Sequence, residues 1–443
     1  LLAQAFRVGQ TLEQREQLQS ITGYMQDWLL RSKDRIAEKN AGTYRAPEQD
    51  ELLFFDHELL TPLITLAAAH TTGEPITPEH LTELQTLAGL ADMLGYTLTL
   101  YRHIITEQLY LILSEPDNGE NRHYQGTYVF RLGQHSGHIL QVPRPLFEKN
   151  VFEYGTALFD NLEAAALLIG GAHPFANPDG SSDLLRARNQ ASLFNLVHQV
   201  LLRENGSRSM LTVQCRGAGR SIGVDALLSF NQGVRFQAAS SPLEQALITR
   251  LEQDHMRYSY VVGAKDTAGY EANEVVQARY LRQTFNKEFC TLWLTPETRS
   301  LYRQQSDNRI MAQQFTALDL ATEEADLAQT IASLPAPAAI APTMEQLTSL
   351  RANVRRYLES HDIIALRLLL EQWPELRFRR LIDLNTKNAF LLIGPTAEQR
   401  PFMVVNLFPK SLQQQVVLPL DAPERQPIER YIASKAAWLL LRP

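Results

Sequence analysis

Cysteine is nearly absent from this chain. Its 443 residues include two, Cys215 and Cys290, so neither a disulfide framework nor a Cys-rich zinc site can be built. Both fall inside apolar, strand-like runs, where a free and buried thiol is the ordinary reading. An excess of charge of one sign is lacking too. Lys and Arg number 42 against 49 Asp and Glu, a net charge of −7. That charge is spread along the chain, which argues against the dense basic face of a nucleic-acid binder. No run reaches the roughly 18–20 apolar residues that a membrane span requires. The sequence opens on leucine rather than methionine, so removal of a leader and a periplasmic location are compatible expectations. Also missing are the dinucleotide fingerprint GxGxxG, the phosphate loop GxxxxGK(S/T), the nucleophile elbow GxSxG and the zinc helix HExxH. Those absences exclude signatures, not reaction classes.

What is present is an ordinary globular composition, 44% hydrophobic and 21% charged, at a length that implies two or three domains. Leu12, Leu18, Ile21, Met25, Leu29 and Ile36 recur at mostly three- or four-residue steps, which predicts an amphipathic helix from Thr11 to Ile36. Further helices are expected over Glu51–Ala69 and over Pro78–Leu94, the latter capped by Thr77. Residues 1–96 therefore read as a helical N-terminal region. Between Thr97 and Pro143 the runs TLTLYRHI, QLYLILSE, TYVFRLG and HILQVP alternate with turn formers and read as strands.

After Pro143, apolar strands at Ala164–Ile169, Met210–Cys215, Val224–Phe230, Tyr258–Val262 and Phe289–Leu294 alternate with helices at Phe152–Asn161, Ala191–Arg203, Pro242–His255 and Ala272–Phe285. Alternation of this kind predicts an α/β fold: a mostly parallel or mixed sheet flanked by helices over residues 97–333. Helical residues from Pro296 lead to the Pro/Ala linker LPAPAAIAPT, 334–343. Beyond it, 344–443 read as a small α+β domain of two helices, three strands and a last helix over Ile428–Leu441. Docking of a protein partner is the expected role of the N- or C-terminal region. No internal repeat is visible.

In open α/β sheets ligands sit beyond the carboxyl ends of the strands, and the loops expected there are polar. VPRPLFEKNVFE supplies Arg144, Glu148 and Glu153; GGAHPFANPDGSSD supplies His173, Asn177, Asp179 and Asp183. QCRGAGRS supplies Gln214, Arg216 and Arg220, and KDTAGYEANEVVQ supplies Asp266, Glu271, Asn273, Glu274 and Gln277. A hydrolytic metal site takes about three N or O ligands, an open position for water and a carboxylate to accept its proton. A histidine and carboxylates at successive strand ends match that demand. Asn177-Pro178-Asp179-Gly180 is equally a good turn on backbone grounds, Asp183 a candidate helix cap, and Glu153 a dipole-favoured helix start. Arg216 and Arg220, among glycines, could hold an anion. His198, on an apolar helix, reads as a core histidine.

The order of these segments (VPRPLFE, AAALLIGGAHPFAN with SSD and SLF, VQCRG, LLSF, EANEVVQARY, FCTLWLTPETR) over Gln141–Arg299 resembles the zinc carboxypeptidase-like hydrolases. The similar branches cleave amide bonds of acidic acyl or glutamyl compounds, the desuccinylase and poly-γ-glutamate hydrolase types. The resemblance implies a zinc cofactor and an acidic small molecule or polymer as substrate. It implies Glu153 and His173 near the metal and Arg216 or Arg220 on a substrate carboxylate. The polar loops themselves add Asp179 as a metal-ligand candidate, Asp183 beside Glu153 as a catalytic candidate, and Arg144 and Asn177 as substrate-binding candidates. The chain departs from that pattern at three places. Arg144 and Arg216 stand where such enzymes tend to place histidines, and Trp293 where a catalytic carboxylate would follow the last strand. Arginine stays protonated and cannot ligate a metal. The departures leave a second reading open, a catalytically inactive binding or scaffold protein for an anionic ligand or a protein partner.

Overall fold

The computed structural model describes residues 18–443 except 117–121, 232–240, 262–268, 271, 273–274, 282–285, 301, 303–317, 319, 321, 338–342, 361–362, 422 and 443. Asp266, Glu271, Asn273 and Glu274 lie outside the described residues, as do residues 11–17 of the first expected helix. The chain forms two compact units whose main spans are Met25–Asp307 and Asn308–Pro443. The second unit takes in residues ahead of the Pro/Ala stretch because the short strand Thr322–Ala325 pairs with the strand Arg377–Asp383.

The first unit opens with helix α1 (Met25–Arg31), a continuous helix α2 (Gln49–Ala69) and α3 (Pro78–Met93). Thr77 caps α3, its hydroxyl accepting from the His80 N–H at 3.2 Å. Where a helix was expected through residue 36, Gln19–Gly23 is instead a strand. The β-branched pair Ile21-Thr22 disfavours helix and Gly23 ends the run. Helix α2 is long and apolar enough to cross a membrane by length and composition. Its Phe55, Leu59, Leu60 and Leu63 join Leu84 and Leu87 of α3 and Leu111 and Leu113 of the sheet in one core cluster.

Nine strands of the ten-stranded sheet run from Thr97 onward: β1 (Thr97–His103), β2 (Leu109–Ser114), β3 (Thr127–Arg131), β4 (His138–Val142), β5 (Ala166–Ile169), β6 (Met210–Gly217), β7 (Ala226–Phe230), β8 (Tyr258–Tyr260) and β9 (Lys287–Leu294). Their spatial order is β1-β2-β3-β5-β4-β6-β9-β7-β8. β5, β4, β6 and β9 are mutually parallel, and antiparallel neighbours flank them. β4 and β5 are buried at every position, as expected for strands covered on both faces. Helices α4 (Val151–Asn161), α5 (Leu193–Glu204), α6 (Pro242–Gln253) and α7 (Val276–Tyr280) make the crossovers. The mixed α/β sheet read from the sequence is the architecture found.

The second unit holds a six-stranded sheet of β10 (Thr322–Ala325), β11 (Arg377–Asp383), β12 (Ala389–Gly394), β13 (Met403–Asn406), β14 (Ser411–Pro419) and β15 (Ala436–Arg442), in the order β10-β11-β12-β13-β15-β14. Helices α8 (Leu327–Ser333), α9 (Met344–Ser360), α10 (Ile363–Gln372) and α11 (Arg425–Ser434) complete it. The expected last helix over Ile428–Leu441 is therefore a helix followed by a strand. Lys435 takes the left-handed conformation (φ 54°) that ends α11. Beyond it, AAWLLL is the run of a strand buried between β13 and β14.

One turn occurs twice. His103 N–H donates to the Gln108 carbonyl at 2.9 Å and Glu107 N–H to the His103 carbonyl at 2.9 Å, with Glu107 at φ 58°. In the second unit Asp383 N–H donates to Asn388 at 2.9 Å and Lys387 N–H to Asp383 at 2.8 Å, with Lys387 at φ 59°. The side chains of His103 and Asp383 each accept from the backbone N–H of the turn threonine, Thr106 or Thr386. A helix followed by a three-strand meander thus appears in both units, as α3-β1-β2-β3 and α10-β11-β12-β13. The repeat lies in the backbone, with little of it in the residues.

Candidate functional site: an ion-paired rim

Parallel β4, β5 and β6 end on one edge of the sheet, at Val142, Ile169 and Gly217, and the polar loops that follow them converge there. Gly170 and Gly171 make the turn out of β5 possible. A Cβ on Gly170 would meet the Pro143 carbonyl, and one on Gly171 the backbone of Tyr124 and Gly126. The loop is then anchored by an isolated bridge between Ala172 and Ala37 and by His173 N–H donating to the Ala37 carbonyl at 2.8 Å.

The His173 imidazole Nδ1 accepts the Phe175 N–H at 3.1 Å. Its ring stands edge-on to Phe147 at 5.3 Å and lies 5.8 Å from Phe175. Burial first, then the charges of Lys39 and Arg144, push its pKa below the ordinary histidine value, so the ring is neutral at pH 7. Phe147 and Phe175 are 45% and 42% exposed and present an aromatic face to solvent.

Asn177, Asp179 and Gly180 form the turn that their order suggests. Asp179 Oδ1 accepts from the Ser181 N–H at 2.9 Å and its hydroxyl at 2.7 Å, and these bonds hold the exposed carboxyl below its usual pKa. Asn177 Nδ2 donates to the Tyr44 carbonyl at 2.7 Å and the Ser181 hydroxyl at 3.0 Å. Gly180 sits at φ 72°, and a Cβ there would lie 2.7 Å from Arg186 Nη1 and 2.8 Å from Arg188 Nη2. Two guanidinium groups therefore converge over this glycine.

The buried carboxylates of the rim are each bound to cations. Asp183 accepts from Arg144 Nε at 3.1 Å, from Arg144 Nη2 at 2.9 and 2.8 Å, and from Arg186 Nε at 3.1 Å. Glu148 accepts from Arg216 Nε at 2.9 and 3.1 Å and from the Gly217 N–H at 2.8 Å. Arg216 Nη2 lies 2.8 Å from Glu148, and Arg144 Nη1 lies 3.6 Å from it. Arg216 also stacks 4.4 Å from the centre of the Trp293 ring, a cation–π contact. Glu153 pairs with Lys33. Arg220 is exposed and stands outside this network.

Arg144 and Asp183, read from the sequence as substrate-binding and catalytic, are thus partners of one another. Arg216, read as a substrate anchor, is the buried partner of Glu148. Among the described residues no group of three or more His, Cys, Asp or Glu is arranged to hold a metal, so His173, Glu153 and Asp179 do not form a prepared ligand set. The reason is local: Glu153 is committed to a lysine, Asp179 to its own turn, and His173 Nδ1 to a backbone N–H. The donor set does not fit zinc.

Residues that sequence reasoning did not bring to the site are Lys33, Phe147, Phe175, Arg186 and Arg188. The aromatic pair was visible in VPRPLFEKN and AHPFAN, and the arginines in LLRARN, but only as scattered surface residues. Under the rim, Gln214 Nε2 donates to Gln141 Oε1 at 3.0 Å and Gln277 Nε2 to Asn195 Oδ1 at 2.8 Å. These buried amides tie β4 and β6 together and join α7 to α5.

No protein-family model and no curated protein matches this chain. Among solved structures, a candidate metallopeptidase from Shewanella denitrificans OS217 is similar at a TM-score of 0.23 and 12% identity, over 52% of this chain and 87% of that one. Similarity at that level transfers neither fold nor activity.

Proposed function

We propose that the chain is a catalytically silent, hydrolase-like binding protein whose strand-end rim takes a carboxylate-bearing polymer or the acidic segment of a protein partner. The pairing of the rim's buried carboxylates carries this reading: Glu148 with Arg216, Asp183 with Arg144 and Arg186, Glu153 with Lys33. Hydrolysis through a metal needs carboxylates free to ligate and to accept a proton from water. Each of these buried carboxylates would first have to leave its cationic partner, at a cost of several kcal/mol for the fully buried Glu148–Arg216 pair.

What faces outward instead is cationic and aromatic. Arg186, bonded through Nε to Asp183, and Arg188, bonded through Nη2 to the Asp179 carbonyl, meet over Gly180 and each keep further N–H donors. Guanidinium groups bind carboxylates in pairs of parallel hydrogen bonds. Phe147 and Phe175 beside neutral His173 add an apolar contact. The test is fluorescence anisotropy of the full chain with labelled poly-γ-glutamate, with and without zinc. Expected is salt-sensitive binding that weakens by about tenfold when Arg186 and Arg188 are replaced by alanine, the weight of one charge-assisted contact (~1.4 kcal/mol). Polymer length is expected to stay constant. Absence of binding overturns the reading. Shortening of the polymer in zinc restores the amidohydrolase one, with His173, Glu153 and Asp179 as the metal ligands to mutate.

A further inference from the structure

At the opposite edge of the same sheet, where β4 and β6 begin, four segments wall a polar cavity of about 550 Å3. That is the size of an ordinary small-ligand site. One wall is the loop Gly133–Gly137 (GQHSG), and its backbone is fixed bond by bond. Gly133 N–H donates to the Ala67 carbonyl at 2.9 Å, Gln134 N–H to the Thr72 hydroxyl at 2.7 Å, and Ser136 N–H to the Glu163 carbonyl at 3.0 Å. Gly133 and Gly137 adopt φ 84° and 91°, the left-handed region that glycine enters freely.

Gly137 N–H donates to His135 Nδ1 at 3.1 Å, so a neutral imidazole carries its proton on Nε2 and offers it as a donor. Burial, then the nearby Arg208 and Arg131, keep that ring neutral. Ser136 and His138 are occupied with each other, Oγ to Nδ1 at 2.7 Å, and His138 Nε2 with the Leu243 carbonyl at 2.9 Å. They are structural.

Two exposed charges remain on the lining, Glu163 and Arg208. Neither has an ion-pair partner among the described residues. Glu163 leads into β5 and Arg208 into β6, with β4 between them. At about 4.8 Å per strand their backbones stand roughly 10 Å apart, and the two opposite charges, which form no ion pair with each other, both line the cavity.

From this arrangement we propose that the cavity is a second binding site, independent of the strand-end rim, for a small zwitterion of dipeptide size. Its carboxylate is held by Arg208 and its ammonium group by Glu163, with His135 Nε2–H as a further donor. The charges of such a ligand match the two walls, and a ligand with one charge leaves one wall unpaired.

The experiment is saturation-transfer NMR and chemical-shift titration of the full chain with alanylalanine. N-acetyl-alanylalanine, which lacks the ammonium, and alanylalanine amide, which lacks the carboxylate, serve as single-charge probes. Expected is binding of the free dipeptide and at least about tenfold weaker binding of each blocked form. Arg208→Ala should reduce the free dipeptide to the level of its amide without changing the amide itself. Glu163→Gln should reduce it to the level of the acetylated form. Both positions are exposed, so thermal melting of the variants should match the parent and confirm folding. Equal binding of the three probes, no binding of the free dipeptide, or variants that bind like the parent would each overturn the proposal.

Discussion

Replacing Arg216 distinguishes a structural arginine from one kept for a ligand. Its side chain is 7% exposed and that of Glu148 6%, and the pair shares three contacts of 2.8–3.1 Å. Arg216→Met leaves the Glu148 carboxylate buried with the Gly217 N–H and, 3.6 Å away, Arg144 Nη1. Stranding one member of a buried pair costs about 3–5 kcal/mol. Arg144 offsets part of this, so about 3 kcal/mol is expected. With a urea m-value of about 3 kcal/mol/M for a unit of this size, the midpoint should fall by about 1 M.

Glu148→Gln should cost somewhat less, because Arg216 retains its stacking on Trp293. The double replacement Glu148→Leu with Arg216→Met should cost less than the sum of the single changes, since an apolar pair of similar volume removes both charges together. Urea melts should be followed by circular dichroism and tryptophan fluorescence together, because a chain with two compact units can unfold in two steps. An Arg216→Met midpoint within about 0.3 M of the parent would refute the reasoning and return Arg216 to the role of a ligand anchor.

Acid should weaken the first unit through His198. Its ring is fully buried and its pKa is lowered to about 3 by burial, while an unfolded histidine titrates near 6.5. The unfolded chain therefore takes up the proton that the folded one refuses. The stability contribution is complete above about pH 6.5 and is lost towards pH 3 at up to about 1.4 kcal/mol per unit. His198→Gln, which can still bond Thr212, should flatten the decline in urea midpoint between pH 6.5 and 4.5, and parallel declines in parent and variant would contradict this. In the second unit, Lys435→Gly should raise the melting midpoint by the equivalent of about 0.5–1 kcal/mol, because a side chain at φ 54° is strained where glycine is not. A lowered midpoint would show that the Lys435 side chain does more than end α11.

The central sheet was legible because buried parallel strands are nearly continuous apolar runs, and LLIG, MLTVQC and FCTLWL carry that pattern in four to six residues. Two segments were misread for the same reason in reverse. QSITG lies within a helical spacing of apolar residues yet pairs as a strand, and AAWLLL fits a helix until the left-handed Lys435 turns the chain. The Asn177–Gly180 turn was also readable, since Asp179 closes it with its neighbour Ser181.

The chemistry of the rim was not readable. Arg144 and Asp183 are 39 residues apart, Glu148 and Arg216 are 68 apart, and Lys33 and Glu153 are 120 apart. No local period records such pairings. A loop rich in carboxylates and arginines looks the same in sequence whether those groups await a ligand or already hold one another.

The most direct test of that distinction is the zinc content of the full chain, measured by mass spectrometry after equilibration with equimolar zinc and removal of the free ion. With its carboxylates bound to Lys33, Arg144 and Arg216 and its imidazole Nδ1 to a backbone N–H, the parent should retain no more zinc than His173→Ala. Stoichiometric zinc in the parent, lost in His173→Ala, would contradict the account.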